Sequence, residues 1–214
     1  MLLLGISTSS GQFALLIGEN NRVIYNSAEY EKDGNKELYF LLRDALTTCN
    51  KKVNDISHII VDTGPGGTSR VRTGIAFANS LAYSLHIPVC PVSTMELAGI
   101  DASAGYGLPV VHSVKSVKGN AYIGFYGGGR EEAQIRYGRV EEIVPELVGS
   151  IRKFVVVGAH REQIMKLPVL SGKTVVDSGM QYGNVRIFIE KSELFIGRGL
   201  IFPKMVESVT EQTI

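Results

Sequence analysis

The sequence predicts an α/β fold with mixed sheets, laid out as two similar halves. Three observations predict it. Strand and helix patterns alternate along the 214 residues. Antiparallel strand-turn-strand patterns lead each half. The order of three strands, helix and strand occurs twice, without a clear repeat of sequence. Residues 2–8 read as the first buried strand. Residues 12–17 and 23–27 form two more, joined by the turn Gly18-Glu19-Asn20-Asn21. Residues 35–50 are helical, because Leu38, Leu41, Leu42, Ala45, Leu46 and Cys49 fall on one face at the 3.6-residue period. Residues 56–62 read as a buried strand that ends at the turn cluster Thr63-Gly64-Pro65-Gly66-Gly67. A second helix covers 69–85 and is stopped before Pro88. A short strand at 89–92 follows, and a further helix begins over 94–98.

Residues 101–109 are rich in small side chains and lack apolar periodicity, so they read as the passage between the halves. This divides a first lobe, 1–105, from a second, 106–214, whose C-terminal segment is a candidate to pack back on the first. In the second half, strands are expected at 109–114, 120–126 and 132–137, with Gly127-Gly128-Gly129 as a turn. A helix at 140–148, a strand at 154–157 ending at Gly158, and a short helix at 161–165 come next. A last strand at 174–177 and a last helix at 185–195 precede a polar, frayed tail at 207–214.

Composition narrows the function. With 44% hydrophobic residues, 20% charged residues and a formal net charge of +1, the chain is not generally disordered. The 22 Lys and Arg are balanced by 21 Asp and Glu, so bulk charge cannot drive autonomous nucleic-acid binding. Cys49 and Cys90 form no CxxC pair and read as reduced core thiols. The opening Met-Leu-Leu-Leu-Gly has no basic region, and its apolar run is too short for a signal peptide or a membrane span. The expected location is the cytoplasm, away from membranes.

The most informative stretch runs from Asp62 through the glycine turn into the helix ending at Leu85. Gly64, Gly66 and Gly67 permit close backbone approach, and the free amides opening the helix can face an anion. It is neither a Walker A loop nor a GxGxxG fingerprint. Within the helix, Gly74, Ala78 and Ala82 lie four residues apart, flanked by Ala76, Ser80 and Ser84. Such a stripe suits either the protein's own sheet or a helix of another subunit.

This stretch, with Ile87-Pro88-Val89-Cys90-Pro91-Val92-Ser93-Thr94-Met95-Glu96-Leu97-Ala98 after it, resembles the TsaB (YeaZ-like) family. Gly64, Pro65, Gly66, Arg72, Gly74, Pro88, Val92, Ser93, Thr94 and Ala98 match the family pattern in place and spacing. Leu4-Gly5-Ile6-Ser7-Thr8-Ser9 is similar to its first strand. The likeness is specific over 2–98, loose over 109–126 and faint beyond. It implies a two-lobed actin-like (ASKHA, ribonuclease H-like) ATPase fold, with each lobe opening in a three-stranded meander. It also implies a role in making threonylcarbamoyladenosine beside the anticodon of tRNA. In that role the chain is a non-catalytic paralogue of the transferase TsaD and docks to it through helices of the first lobe. The ATPase TsaE joins, homodimers form in many members, and tRNA is met only through the complex. By the same resemblance, Arg70, Gly74, Ala78 and Ala82 are candidates for the partner interface, and ATP or ADP for a ligand there.

The chain also departs from the family pattern. Ser7 stands where the first strand usually ends in Asp, Gly67-Thr68-Ser69-Arg70 replaces Ser-Phe-Thr-Gly, and Lys115-Ser116-Val117 replaces Asp-Ala-Arg. Two acidic positions are missing and two cations are added, which argues against ATP hydrolysis. A degenerate nucleotide or anion site would be built from Ser7, Thr8, Gly64, Gly66, Gly67, Thr68 and Lys115, with Arg70 and Lys115 as cations for phosphate. The four histidines, His58, His86, His112 and His160, include no pair at metal-ligand spacing, so neither a metal site nor a catalytic residue is assigned. Ser7, Ser9, Ser10 and Ser93 lie near turns or strand ends, but no G-x-S-x-G elbow is present. Arg70 and Arg72 are too few to hold tRNA alone and read as solvated or internally paired. The alternatives left open are an actin-like ATP-binding enzyme and a peptidase of the glycoprotease-like superfamily.

Overall fold

The computed structural model describes residues 1–10, 13–30, 37–128 and 133–197. Positions 12, 35–36, 129 and 132 of the expected elements, and the expected frayed tail at 207–214, lie outside them. The chain forms two compact units. The first is Met1–Ser93 together with the segment from Val185, and the second is Thr94–Asn184.

In the first unit, β1 (Leu2–Ser7), β2 (Ala14–Glu19) and β3 (Arg22–Asn26) form an antiparallel meander. A four-residue helix, α1 (Ser27–Tyr30), leaves it. Then come α2 (Leu38–Thr48), β4 (Ile56–Asp62), α3 (Thr68–Leu85) and β5 (Val89–Val92). β4 pairs parallel to β1, and β5 parallel to β4, giving the order β3-β2-β1-β4-β5. A helical crossover is what parallel neighbours require.

Strand alternation sorts the side chains of the first unit. Leu2, Leu4, Ile6, Ile59 and Val61 face α2 and α3 in one core with Leu41, Ala45, Val71, Ile75 and Ala78. On β1 and β2, Gly5 and Gly18 leave room for the returning C-terminal segment. A Cβ at Gly18 would come within 2.2 Å of Ile189 Cγ2, and one at Gly5 within 3.2 Å of the Phe188 ring. Ser192 Oγ donates to Asn21 Oδ1 at 3.2 Å nearby. That segment is a short helix, α7 (Ile187–Glu190), and a 3-10 turn at Ser192–Leu194, instead of the single helix expected over 185–195. Lys191, at φ −124° and ψ 30°, interrupts it.

The second unit repeats the plan. Its elements are α4 (Thr94–Tyr106), β6 (Val110–Lys115), β7 (Ala121–Tyr126), β8 (Gln134–Gly138), α5 (Val140–Val148), β9 (Lys153–Gly158), α6 (Arg161–Met165) and β10 (Thr174–Asp177). The strand order β10-β9-β6-β7-β8 is that of the first sheet, with β6 in the place of β1. Both units share one plan, a three-stranded antiparallel meander extended by two parallel strands. α4 covers one face through Ala98 and Ala102 on Val110, Val155 and Val157. α5 and α6 cover the other, where Phe125, Phe154 and Val156 lie.

α4 corrects the reading of 101–109 as a passage. The helix runs on to Tyr106, and the division between units falls after Ser93 instead of at 105. Its first turns are buried on every side from Thr94 to Gly99, so no polar face marks the helical period. No helix among the described residues is long and apolar enough to cross a membrane.

Candidate functional site

β1 and β4 run parallel and adjacent, so their C-terminal ends bring two loops together, Ser7-Thr8-Ser9 and residues 63–67. Open α/β sheets offer ligand sites at this edge. Asp62, the last residue of β4, joins the loops and is 1% exposed. Its Oδ2 accepts hydrogen bonds from Ser7 Oγ at 2.9 Å and from Ser9 Oγ. Its Oδ1 accepts one from the Gly64 amide at 2.8 Å. Gly64 has φ +83°, a conformation that favours glycine, and the Gly64–Pro65 bond is cis. Gly66 lies so close to Ser9 that a Cβ would meet the Ser9 Cβ at 2.6 Å and its carbonyl oxygen at 2.8 Å. Gly74, in the second turn of α3, approaches Thr8 in the same way, and the Thr8 hydroxyl is buried there without a hydrogen-bond partner.

Of the residues assigned to an anion site, Ser7, Thr8, Gly64 and Gly66 meet at this junction. Gly67 and Thr68 open α3 and are exposed. Lys115 is exposed at the end of β6, in the second unit. The group that organises the junction, Asp62, and its partner Ser9 carry no role in the sequence reading. The available signal is a carboxylate closing the apolar run Ile59-Ile60-Val61-Asp62. Although Ser7 removes an acid from β1, Asp62 brings one to the same place.

The Ser7 and Ser9 hydroxyls and the Gly64 amide are all directed at Asp62.

α3 also corrects the assignment of a partner face. Gly74, Ala78 and Ala82 are buried with Val71 and Ile75 against the chain's own sheet, so the small-residue stripe allows the helix to approach that sheet. The outward residues of α3 are Arg72, Thr73, Ala76, Asn79, Ser80 and Tyr83, with Arg70 exposed in the first turn. Tyr83 is 83% exposed. On α2, Tyr39 and Phe40 are 62% and 39% exposed. They meet edge to face, and the Arg43 guanidinium lies 5.1 Å from the centre of the Phe40 ring.

In the second unit, Ser113, two residues before the end of β6, pairs with Gly158, the last residue of the neighbouring strand β9. Ser113 Oγ accepts from the His160 amide at 3.0 Å, and a Cβ at Gly158 would strike the Ser113 carbonyl oxygen. Arg161 holds the β10 end through Asp177 at 2.8 Å and the carbonyls of Gly158 and Met180. Burial, and then the Lys115 charge, lower the His160 pKa. A shallow concavity lined by His160, Arg161, Gln163, Lys166 and Gln181 opens beside them. His86 caps the C-terminus of α3 in the left-handed region. Cys90 is buried, Cys49 is half-buried, and both are free thiols. Among the described residues, no three His, Cys, Asp or Glu side chains are grouped to hold a metal ion.

The profile of the family described as TsaD, tRNA N6-adenosine threonylcarbamoyltransferase, matches residues 29–173. A Bacillus subtilis tRNA threonylcarbamoyladenosine biosynthesis protein TsaB is 29% identical over 147 residues, 68% of this chain and 61% of that protein. A tRNA N6-adenosine threonylcarbamoyltransferase of Chlorobium phaeovibrioides is 28% identical over 128 residues, 51% of this chain and 37% of that protein. The chain thus spans less than two thirds of the length of these relatives. The solved structure of YeaZ from Pseudomonas aeruginosa superposes with a TM-score of 0.72 over 90% of this chain and 91% of that one, at 17% identity.

Proposed function

Because the chain belongs to the TsaD family of tRNA N6-adenosine threonylcarbamoyltransferases, we propose that it is a TsaB-like subunit of threonylcarbamoyladenosine synthesis on tRNA. It works in the cytoplasm without transferring the group itself. It docks to a TsaD-like paralogue, which carries the chemistry, and a TsaE-like ATPase joins the assembly. tRNA is met through the complex, and a second copy of the chain competes for the same face.

One observation carries this reading. The two helices on one side of the first sheet, α2 and α3, turn Tyr39, Phe40 and Tyr83 to solvent. Exposed aromatics on helical faces are the side chains that contribute most to protein interfaces. The candidate interface therefore keeps Arg70 and moves from Gly74, Ala78 and Ala82 to the outward positions beside them. At the junction the Ser7 hydroxyl and the Gly64 amide serve Asp62, which gives the ATP-binding alternative no support from them. Among the described residues the peptidase alternative has no metal-holding group in its favour.

Light scattering of the chain mixed with the TsaD-like protein of the same organism tests the reading. A heterodimer is expected, and Tyr83→Ala should weaken it by about 2 kcal/mol, roughly thirtyfold in Kd, with the fold unchanged. A chain that stays unassociated with that paralogue contradicts it.

A further inference from the structure

The chain enters the second unit at Thr94 and leaves it at Asn184, and α4 meets both passages. Thr94, Ala98 and Asp101 stand at i, i+4 and i+7 along α4, on one face of the helix. Residues 178–184, which follow β10, are fastened along that helix. A Cβ on Gly183 would lie 2.7 Å from the Ala98 Cα and from its amide nitrogen, so the two backbones touch there. One residue on, the Asn184 amide donates to Asp101 Oδ2 at 2.7 Å. The buried His112 ring lies beside the backbone of both Thr94 and Gln181. At the far end of α4, Tyr106 Oη donates to the Ser178 carbonyl at 3.4 Å. The next residue after Asn184, Val185, opens the segment whose Phe188 and Ile189 fill the notches at Gly5 and Gly18.

We infer that α4 anchors a strap: by seating residues 181–184 it holds α7 in its notches on the first sheet, and opening the seat at Gly183 and Asp101 frees α7 while both sheets stay folded. The physical cause is chain entropy. With Asn184 fixed, only Val185 and Arg186 separate the seat from Ile187, the first residue of α7. With the seat open, the free chain runs from Asp177 at the end of β10 to Ile187. A loop lengthened about fourfold closes roughly eightfold less readily. Asn184 is exposed and Asp101 half-buried, whereas Phe188 and Ile189 are buried. The seat therefore lies at the surface and opens at less cost than the contacts it supports.

Amide hydrogen exchange on the full chain tests this. Gly183→Ala sets a Cβ against the Ala98 backbone and pries the seat open. Exchange over residues 187–190 should rise at least about fivefold, with β4 and β9 as protected as in the wild type. Asp101→Ala removes one tie and should give a smaller rise over the same residues. It serves alone if Gly183→Ala does not fold. Asp101→Asn, which keeps an oxygen for the Asn184 amide, should stay near the wild type. Extra exchange that stops at Asn184 and leaves 187–190 unchanged would overturn the inference. A rise of equal size in β4 and β9 would overturn it too, since that is a general loss of stability.

Discussion

His112 shows how much one buried side chain can shape the response to pH. It lies in the middle of β6 and is 1% exposed. Burial lowers its pKa from 6.5 to about 4 and outweighs the backbone near Thr94 and Gln181, which favours the protonated ring. The unfolded chain takes up a proton near the ordinary value, while the folded chain refuses it. The contribution of neutral His112 is therefore complete above about pH 6.5 and is lost as the pH falls toward 4, by on the order of 3 kcal/mol at most. Urea midpoints should fall between about pH 7 and about pH 4.5, and the slope should flatten in His112→Leu. An equal slope in both proteins would assign the effect to other groups. Asp62 teaches a different lesson at this scale. Its position at the end of an apolar strand is plain in the sequence, but its partners are not. Ser7 and Ser9 lie more than fifty positions away and reach it only because β1 and β4 are neighbours in the sheet.

At the scale of elements, legibility follows from periodicity. α2 is readable because Leu38, Leu41, Leu42, Ala45 and Leu46 are buried while Tyr39 and Arg43 are not, so the period survives in the sequence. α4 is unreadable beyond Ala98 because its first turns are buried all round and its last ones carry small residues. The stripe of Gly74, Ala78 and Ala82 announces a close approach, but small size does not say to what, and the answer is the chain's own sheet. Ala78→Leu should therefore lower stability by about 1–3 kcal/mol in the isolated chain, through overpacking, without being specific to any partner. Gly18→Ala should act likewise at the other face. Its Cβ would meet Ile189, so α7 must shift off β2. A Tm lower by several degrees, with faster exchange in 185–195, is the expected result, and an unchanged Tm would show that α7 yields freely.

At the scale of the whole chain, two sheets with the same strand order follow one plan twice, and the three-stranded meander opening each half was visible as short strands separated by turns. Function was legible only through the glycine turn and the residues around it, which match a family. The chemistry of the junction depends on side chains meeting across strands, and the outward face of α3 depends on knowing which side the sheet takes. In the proposed role the reaction belongs to another subunit, and this chain engages it. The most direct test is reconstituted tRNA modification with the organism's TsaD-like and TsaE-like proteins, with and without this chain. The account predicts that omission lowers threonylcarbamoyladenosine at least about tenfold, and that the chain alone makes none. Undiminished modification without the chain, or transfer by the chain on its own, would contradict it.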